Sequence, residues 1–546
     1  MKNVLITVLA LLVVNTLTAQ DDLPSGQVDV VKSFEARLAE ANRIDVSPVL
    51  PPLDTVNRRL EYNVISKEVP VEYLPPRIRP LAFRTEQPAT IYNGFAKFGL
   101  GLPRAFYGEI SYDITKEETF DFGINLRRHT ANNTNNVENQ RFSNNRLELD
   151  GTYYFPQGFA VNGSVGYTTD GVYYYGYNDV NEELDTTLYS FDDLQVRQRF
   201  NILDFGFGIF NGERTQADFN YSARADIYAM TDEYAARENA FKLDLSATKW
   251  FDERHPLVVQ LITDFSTFRD TAKQNLNNFF LKPSYTYHAN AFNVKVGANI
   301  ASSDDEFFFF PDIEANANII PGVVTAFAGI NGDLTKNNMR SLLEYNPFLR
   351  TRFRLSNSNW TDFYGGVKGN AYGVTYQGKI SYRRVEDLAL FQMNDPLAVE
   401  GIYRFGVLYD TASITAFNLT VSVPILDMID LTGSFQQQVF SLDNEEKPWH
   451  LPSTTLSAGA AYTALEDKLR VRADLFVENG VPYRTPEGVA DNLNGLLDLS
   501  FGAEYQVVEQ FGLWVQLNNV LNNRRQRWFR YPILGLNVLV GASARF

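Results

Sequence analysis

The residues best suited to acid–base work or metal ligation near neutral pH are four histidines: His129, His255, His288 and His450. None stands at a ligand spacing from another, and all fall in predicted loops or turns. The absence of cysteine excludes thiol nucleophiles, zinc ribbons and disulfide frameworks. Gly163-Ser164-Val165-Gly166 is not a Gly-x-Ser-x-Gly elbow, and it sits inside an alternating strand pattern. Gly206-Phe207-Gly208 lacks the strand-to-helix context of a nucleotide loop. His129 or His450 beside a loop carboxylate could serve a rim hydrolase, and Asp304-Asp305-Glu306 offers hard oxygen ligands for Ca²⁺. An acidic run in a chain of net charge −16 reads first as solvated, and that charge argues against a nucleic-acid partner. The expectation is a protein that is not an enzyme, with no cofactor and no metal.

The elements around these residues have period two. Leu534, Leu536, Val538, Val540, Ala542, Ala544 and Phe546 alternate with mostly small or polar residues. Leu497–Val507, Leu469–Val477 and Ala217–Ile227 repeat the pattern, with Arg224, Asp226, Arg470, Arg472, Asp474 and Glu504 on the polar side. Such strands have one apolar and one wet face. They run about 10–14 residues, where soluble strands average about 5–6 and a bilayer asks for about 9–11. Tight turns (Phe155-Pro156-Gln157-Gly158, Ile320-Pro321-Gly322, Ala464–Lys468) alternate with long polar stretches such as Tyr177–Asp192, Gly332–Ser358 and Asn479–Asn494. Short turns on one side and long loops on the other predict an all-β, closed antiparallel transmembrane barrel of about 22 strands over residues 90–546. The inward charges, with Lys242, Asp244, Lys368, Lys379, Arg383 and Arg545 among them, predict a solvated lumen wall whose charges stay hydrated or pair across strands.

Aromatics make up 14% of the chain. Tyr153-Tyr154-Phe155, Tyr173-Tyr174-Tyr175, Trp250-Phe251, Trp449 and Trp528-Phe529 sit where strands meet connections, which predicts interfacial girdles. Carbohydrate stacking is the sharper alternative for Trp360 and Trp449.

Residues 1–20 carry Lys2, an apolar run Val4–Val14 and Ala19 near their end, the pattern of a secretory signal peptide. Residues 21–89 hold a short amphipathic helix pattern over Asp29–Asn42 and then many prolines, which cannot build a continuous sheet. They read as a Pro-rich periplasmic or lumenal arm. Within it Gln27, Val28, Asp29, Val30 and Val31 could add a strand to a periplasmic partner.

The last segment carries Leu517-Asn518-Asn519-Val520-Leu521-Asn522-Asn523, Trp528, Tyr531-Pro532, Gly535 and terminal Phe546. It resembles the closing segment of TonB-dependent receptors. The Lys336–Glu344 loop helix with Tyr345-Asn346-Pro347-Phe348-Leu349 is similar to a feature of receptor-like barrels. The resemblance implies a 22-stranded outer-membrane barrel that binds or passes solutes, with Phe546 as the signal read by the barrel-assembly machinery. It also implies outer-membrane lipid as surroundings, with a periplasmic or surface lipoprotein as a possible partner. The family's plug domain is larger than residues 21–89, so the chain resembles the barrel half of such a receptor without its gate. The alternative is a structural or assembly subunit that recruits periplasmic partners through residues 21–89.

Overall fold

The computed structural model describes residues 92–546 apart from 117–118, 304–305 and 395–400. The expected signal peptide, the arm with Gln27–Val31, and Asp304 and Asp305 lie outside the described residues.

Twenty-two antiparallel strands form one sheet closed on itself. The first strand, Gly94–Leu102, pairs with Ala105–Lys116 on one side and with the last strand, Asn537–Arg545, on the other. Closure leaves no edge, so every strand has a neighbour on both sides, as a sheet in hydrocarbon requires. Most strands have 11 to 16 residues, and Val374–Asn394 and Arg404–Ile425 reach 21 and 22.

The two faces follow the alternation. Phe98, Leu100, Phe205, Phe207, Ile227, Phe307, Phe309 and Ile380 point outward and are exposed. These are apolar surfaces for lipid to cover. Residues one position away point inward and pair. Arg224 meets Asp226 at 2.8 Å, and Lys379 and Arg383 both reach the buried Asp362, at 3.0 and 3.4 Å. Lys97 lies 3.8 Å from Glu504 and over the Trp514 ring. Pairing within and across strands offsets these wall charges.

Connections differ by end. Residues 155–159, 252–254, 321–323, 372–373, 465–468 and 509–510 are tight turns at the end that also holds Asn93 and Phe546. Residues 174–196, 338–355, 443–453, 480–495 and 519–536 are long loops at the other end. They contain the short helices α1 (Tyr177–Glu183), α2 (Asp193–Val196) and α3 (Met339–Tyr345).

Phe546 sits at the seam. Its N–H donates to the Gly94 carbonyl at 3.0 Å and its carbonyl accepts from the Gly94 N–H at 2.7 Å. The ring is exposed, stacks on Tyr112, and occupies the space a side chain at Gly94 would need: a Cβ there would lie 2.3 Å from it.

Candidate functional site

The loop end is covered by the chain itself. The hairpin formed by Val324–Asn337 and Ser356–Ala371 begins as wall and ends as lining. Val324–Asn337 pairs with Glu306–Ile320 only from Val324 to Ile330, yet pairs with Ser356–Ala371 as far as Asn337. Beyond Ile330 the sequence Asn331-Gly332-Asp333 is polar and cannot face lipid, so the hairpin turns inward. Gly332 permits the approach, since a Cβ there would lie 2.6 Å from the Phe310 ring. The turned segment docks on the inner wall of strands His255–Arg269, Lys273–His288 and Phe292–Ser303. Asp333 accepts from Lys282 and from Asn299 at 2.8 Å, Asn357 donates to Asn278 and Ser303, and Lys336 pairs with Asp264.

Helix α3 then lies against the adjoining wall, the strands Arg197–Phe210, Phe219–Thr231 and Arg237–Phe251. Asn338 and Ser341 form its capping box, with the Asn338 side chain accepting from the Ser341 N–H at 2.9 Å. Glu238, fully buried on strand Arg237–Phe251, accepts from the Met339 N–H at 2.8 Å and from the Tyr228 hydroxyl at 2.6 Å. A carboxylate at a helix N-terminus satisfies donors that the helix leaves unpaired. Arg340 reaches Asp204 at 2.6 Å.

From there residues 346–355 cross the mouth. Leu349 forms a parallel bridge to Phe405, and Gln274 closes two bonds on Phe353 and Leu355. Around them one apolar core gathers side chains from the connections 174–196, 338–355 and 519–536 and from the strand ends beside them. It includes Tyr174, Tyr175, Met339, Leu349, Phe405, Trp528 and Tyr531. Phe348 stacks on Tyr531 with centroids 3.8 Å apart, and Tyr531 donates to the Tyr403 carbonyl. Tyr175 donates to the Pro532 carbonyl at 3.0 Å. Burial pushes the Tyr175 hydroxyl up to about 12, so it stays a donor.

The predicted girdle is therefore only partly a girdle. Tyr153 and Phe251 are exposed near the turns, whereas Tyr174, Trp449 and Trp528 are buried in the cap. A ring at a strand end packs wherever its connection goes, and these connections fold inward. Trp449 is 0% exposed, donates to Glu445 and carries Arg484 on its face, so it offers no surface to a sugar. Trp360 donates to Thr335 and is covered by Arg383.

The histidines hold structure. In His450, Nδ1 lies 2.7 Å from the Phe391 carbonyl oxygen, Nε2 accepts from the Phe529 N–H, and the ring stacks on Trp528. Burial pushes it down to about 4, so it is neutral at pH 7. His129 lies between Tyr107 and Phe142, and His255 accepts from the His288 N–H at 3.0 Å. Among the described residues no three His, Asp or Glu side chains converge to hold a metal ion.

A cleft of about 850 Å³ opens on the cap between α1 and residues 480–495 and 519–536. Arg530, Asp179, Glu183, Tyr483, Asp491 and Phe529 line it. Arg530 lies 3.4 Å from Asp179 and 3.3 Å from Glu183, and Tyr483 stacks on Phe529 at 4.3 Å. Burial raises the Asp179 carboxyl, with Arg530 opposing it. Flat rings beside fixed charges of both signs suit a polar solute with planar parts.

Sequence reasoning missed the loop 519–536 as a cap element. The strand Phe511–Asn518 stops at Asn518, and the asparagines that read as a closing strand organise the loop. Buried Asn519 donates to the carbonyls of Asn523 and Leu534 and accepts from the Asn523 N–H. The Asn-rich run was the available signal, since asparagine side chains favour turn geometry.

No family model matches the chain, and no curated protein matches it. Solved structures do. The FrpB iron transporter from Neisseria meningitidis superposes with a TM-score of 0.65 at 9% identity, covering 84% of this chain and 82% of its own. The ferric-catecholate import receptor Fiu from E. coli K12 gives 0.64 at 9%, over 84% and 82%. The pyoverdine outer-membrane receptor FpvA from Pseudomonas aeruginosa gives 0.61 at 10%, over 84% and 79%. The closed 22-stranded architecture is that of outer-membrane receptor barrels.

Proposed function

We propose that the chain is an outer-membrane barrel of the TonB-dependent-receptor type that binds solutes at its loop-end cleft and passes them when the cap moves. The observation that carries this reading is a wide closed barrel whose mouth is covered by one apolar core drawn from its own loops. Solved structures of the same fold are an iron transporter, a ferric-catecholate import receptor and a pyoverdine outer-membrane receptor. By the same reading residues 1–20 direct export, residues 21–89 face the periplasm or lumen, with Gln27–Val31 as a partner strand, and Phe546 is presented to the barrel-assembly machinery. A lipoprotein partner on either side of the membrane belongs to this proposal.

Single-channel conductance in planar bilayers tests it. The full mature chain should be nearly silent, and a variant with residues 339–355 replaced by a short Gly-Ser turn should pass steady current. Removing residues 21–89 should widen that current if the arm lies in the lumen. Silence in all variants would favour a structural subunit that recruits periplasmic partners through residues 21–89.

A further inference from the structure

The barrel's outer surface carries a basic patch that neither the cap nor the lumen uses. Cross-strand register places Asn201, Thr231, Arg237, Arg269 and Lys273 in one row: Asn201 opposes Thr231, Thr231 opposes Arg237, Arg237 opposes Arg269, and Arg269 opposes Lys273. Arg199 lies two residues beyond Asn201 on the same face. The face is the outward one, because the same parity along these strands gives the exposed Phe205, Leu261 and Phe279. The neighbours of opposite parity, Gln198, Glu238, Phe268 and Leu276, are buried inside the mouth.

Three features make this row more than solvated charge. Arg237, Arg269 and Lys273 are directly opposite one another on three successive strands, an arrangement in which like charges repel. Second, Arg199, Arg237, Arg269 and Lys273 make no ion pair among the described residues, while other basic residues at this end do. Arg197 meets Glu233, and Arg384 meets Asp443 at 2.6 Å. Asp270 of the connecting turn accepts from the Ala272 N–H through Oδ1 and makes no ion pair among the described residues. Third, the height fits. Arg237 and Arg269 each lie four residues beyond the last large apolar outward residue of their strands, Phe241 and Phe265. At about 3.3 Å per residue on a strand tilted about 40°, that is roughly 10 Å above the apolar band, the depth of the headgroups. Long basic side chains can lower their charges further toward that layer.

We propose that Arg199, Arg237, Arg269 and Lys273 form a binding site on the barrel exterior for the phosphate groups of an outer-leaflet lipid. Bidentate guanidinium–phosphate contacts would relieve the repulsion along the row, and the acyl chains would lie on the apolar surface beneath. The proposal rests on the outer-membrane reading under Proposed function, with the loop end toward the outer leaflet.

The test titrates the full chain, purified in detergent, with a bisphosphorylated glycolipid, the same lipid dephosphorylated, and inorganic phosphate, and counts bound lipid by native mass spectrometry. The wild type should retain the phosphorylated lipid and lose it on dephosphorylation. The variant R199Q/R237Q/R269Q/K273Q should bind on the order of a hundredfold more weakly, and R199K/R237K/R269K within about tenfold of wild type. Heat-modifiable electrophoretic mobility checks that each variant is a folded barrel, and R237Q/R269Q replaces the fourfold variant if that one fails. Wild-type affinity in the Gln variant, equal binding of the dephosphorylated lipid, or competition by inorganic phosphate at equal concentration would overturn the proposal. Insertion into vesicles with any of those results strikes this inference alone; failure of the wild type to insert strikes the membrane reading as well.

Discussion

The wall and the cap draw on the same stock of aromatic and aliphatic residues but are ordered by different forces. In the wall each strand is fixed by backbone ladders to two neighbours, and its outward side chains touch little protein. In the cap regular ladders are few. Order there comes from side chains that bond loop backbone: Glu238 and Gln274, on wall strands, to α3 and to residues 353–355, and Asn519 within its own loop. The wall therefore cannot open without breaking many bonds at once. The cap is held by fewer, which is what the proposed passage of solute through the mouth asks of it.

The largest effect is expected where the wall closes. A Cβ at Gly541 would lie 1.8 Å from the carbonyl oxygen of Phe98 across the seam, a clash with backbone that rotamers cannot relieve. Gly541→Val should abolish the folded barrel, seen as loss of the heat-modifiable band. Phe207→Leu, at an exposed outward position, should change stability by less than about 1.5 kcal/mol. If both were tolerated equally, the wall would not depend on its ladders as described.

In the cap a single ring should matter. Trp528 packs against Tyr345, Phe391, Phe405 and His450. Trp528→Ala should cost the cap about 3–5 kcal/mol, read as faster hydrogen exchange in residues 519–536 with the wall unchanged. An equal loss of protection in strands far from the mouth would erase the distinction between cap and wall.

The same contrast explains what the sequence disclosed. Period-two alternation such as Ala217–Ile227 reports a face directly, because a strand has only two. Strand length and the alternation of short and long connections then set the fold and the strand number. The cap was not legible in this way. Tyr174 follows a strand end and Trp449 and Trp528 lie within long connections, where an interfacial ring and an inward-folded ring have the same local sequence. Only the path of residues 338–355 across the mouth separates the two. The docking carboxylate Glu238 reads locally as an ordinary inward charge, since its partner, the N-terminus of α3, lies 101 residues away. The basic row was hidden for a related reason: its members are spread over separate strands and meet only through register.

A smaller effect is expected from the helix anchor. Glu238→Ala leaves the Met339 N–H without its buried acceptor, at a cost of about 1–3 kcal/mol. Exchange should quicken in residues 339–345 first. Glu238→Gln, which keeps an acceptor oxygen, should recover part of the loss. No local change in α3 would mean that the apolar core alone holds the helix.

The last effect, and the one most specific to the cap, is a pH dependence from His450. Its folded value of about 4 lies below the ordinary 6.5, so the released loop binds more protons than the docked one between those limits. The stabilisation is then fully present above about pH 6.5 and is lost as pH falls toward about 4, by up to about 1.4 kcal/mol per unit. Asp179 opposes it. Burial raises that carboxyl, so the docked cap holds its proton more readily and gains stability as pH falls. The net slope should be shallower than one full proton. Exchange rates in residues 443–453, measured at about pH 7 and about pH 5, should rise on acidification in the wild type. In His450→Gln they should rise much less, because the glutamine amide does not titrate. The wall, tied by ladders that carry no titrating group, should keep its protection over the same range. A slope that survives the substitution would place the acid sensitivity elsewhere in the cap and remove His450 as its source.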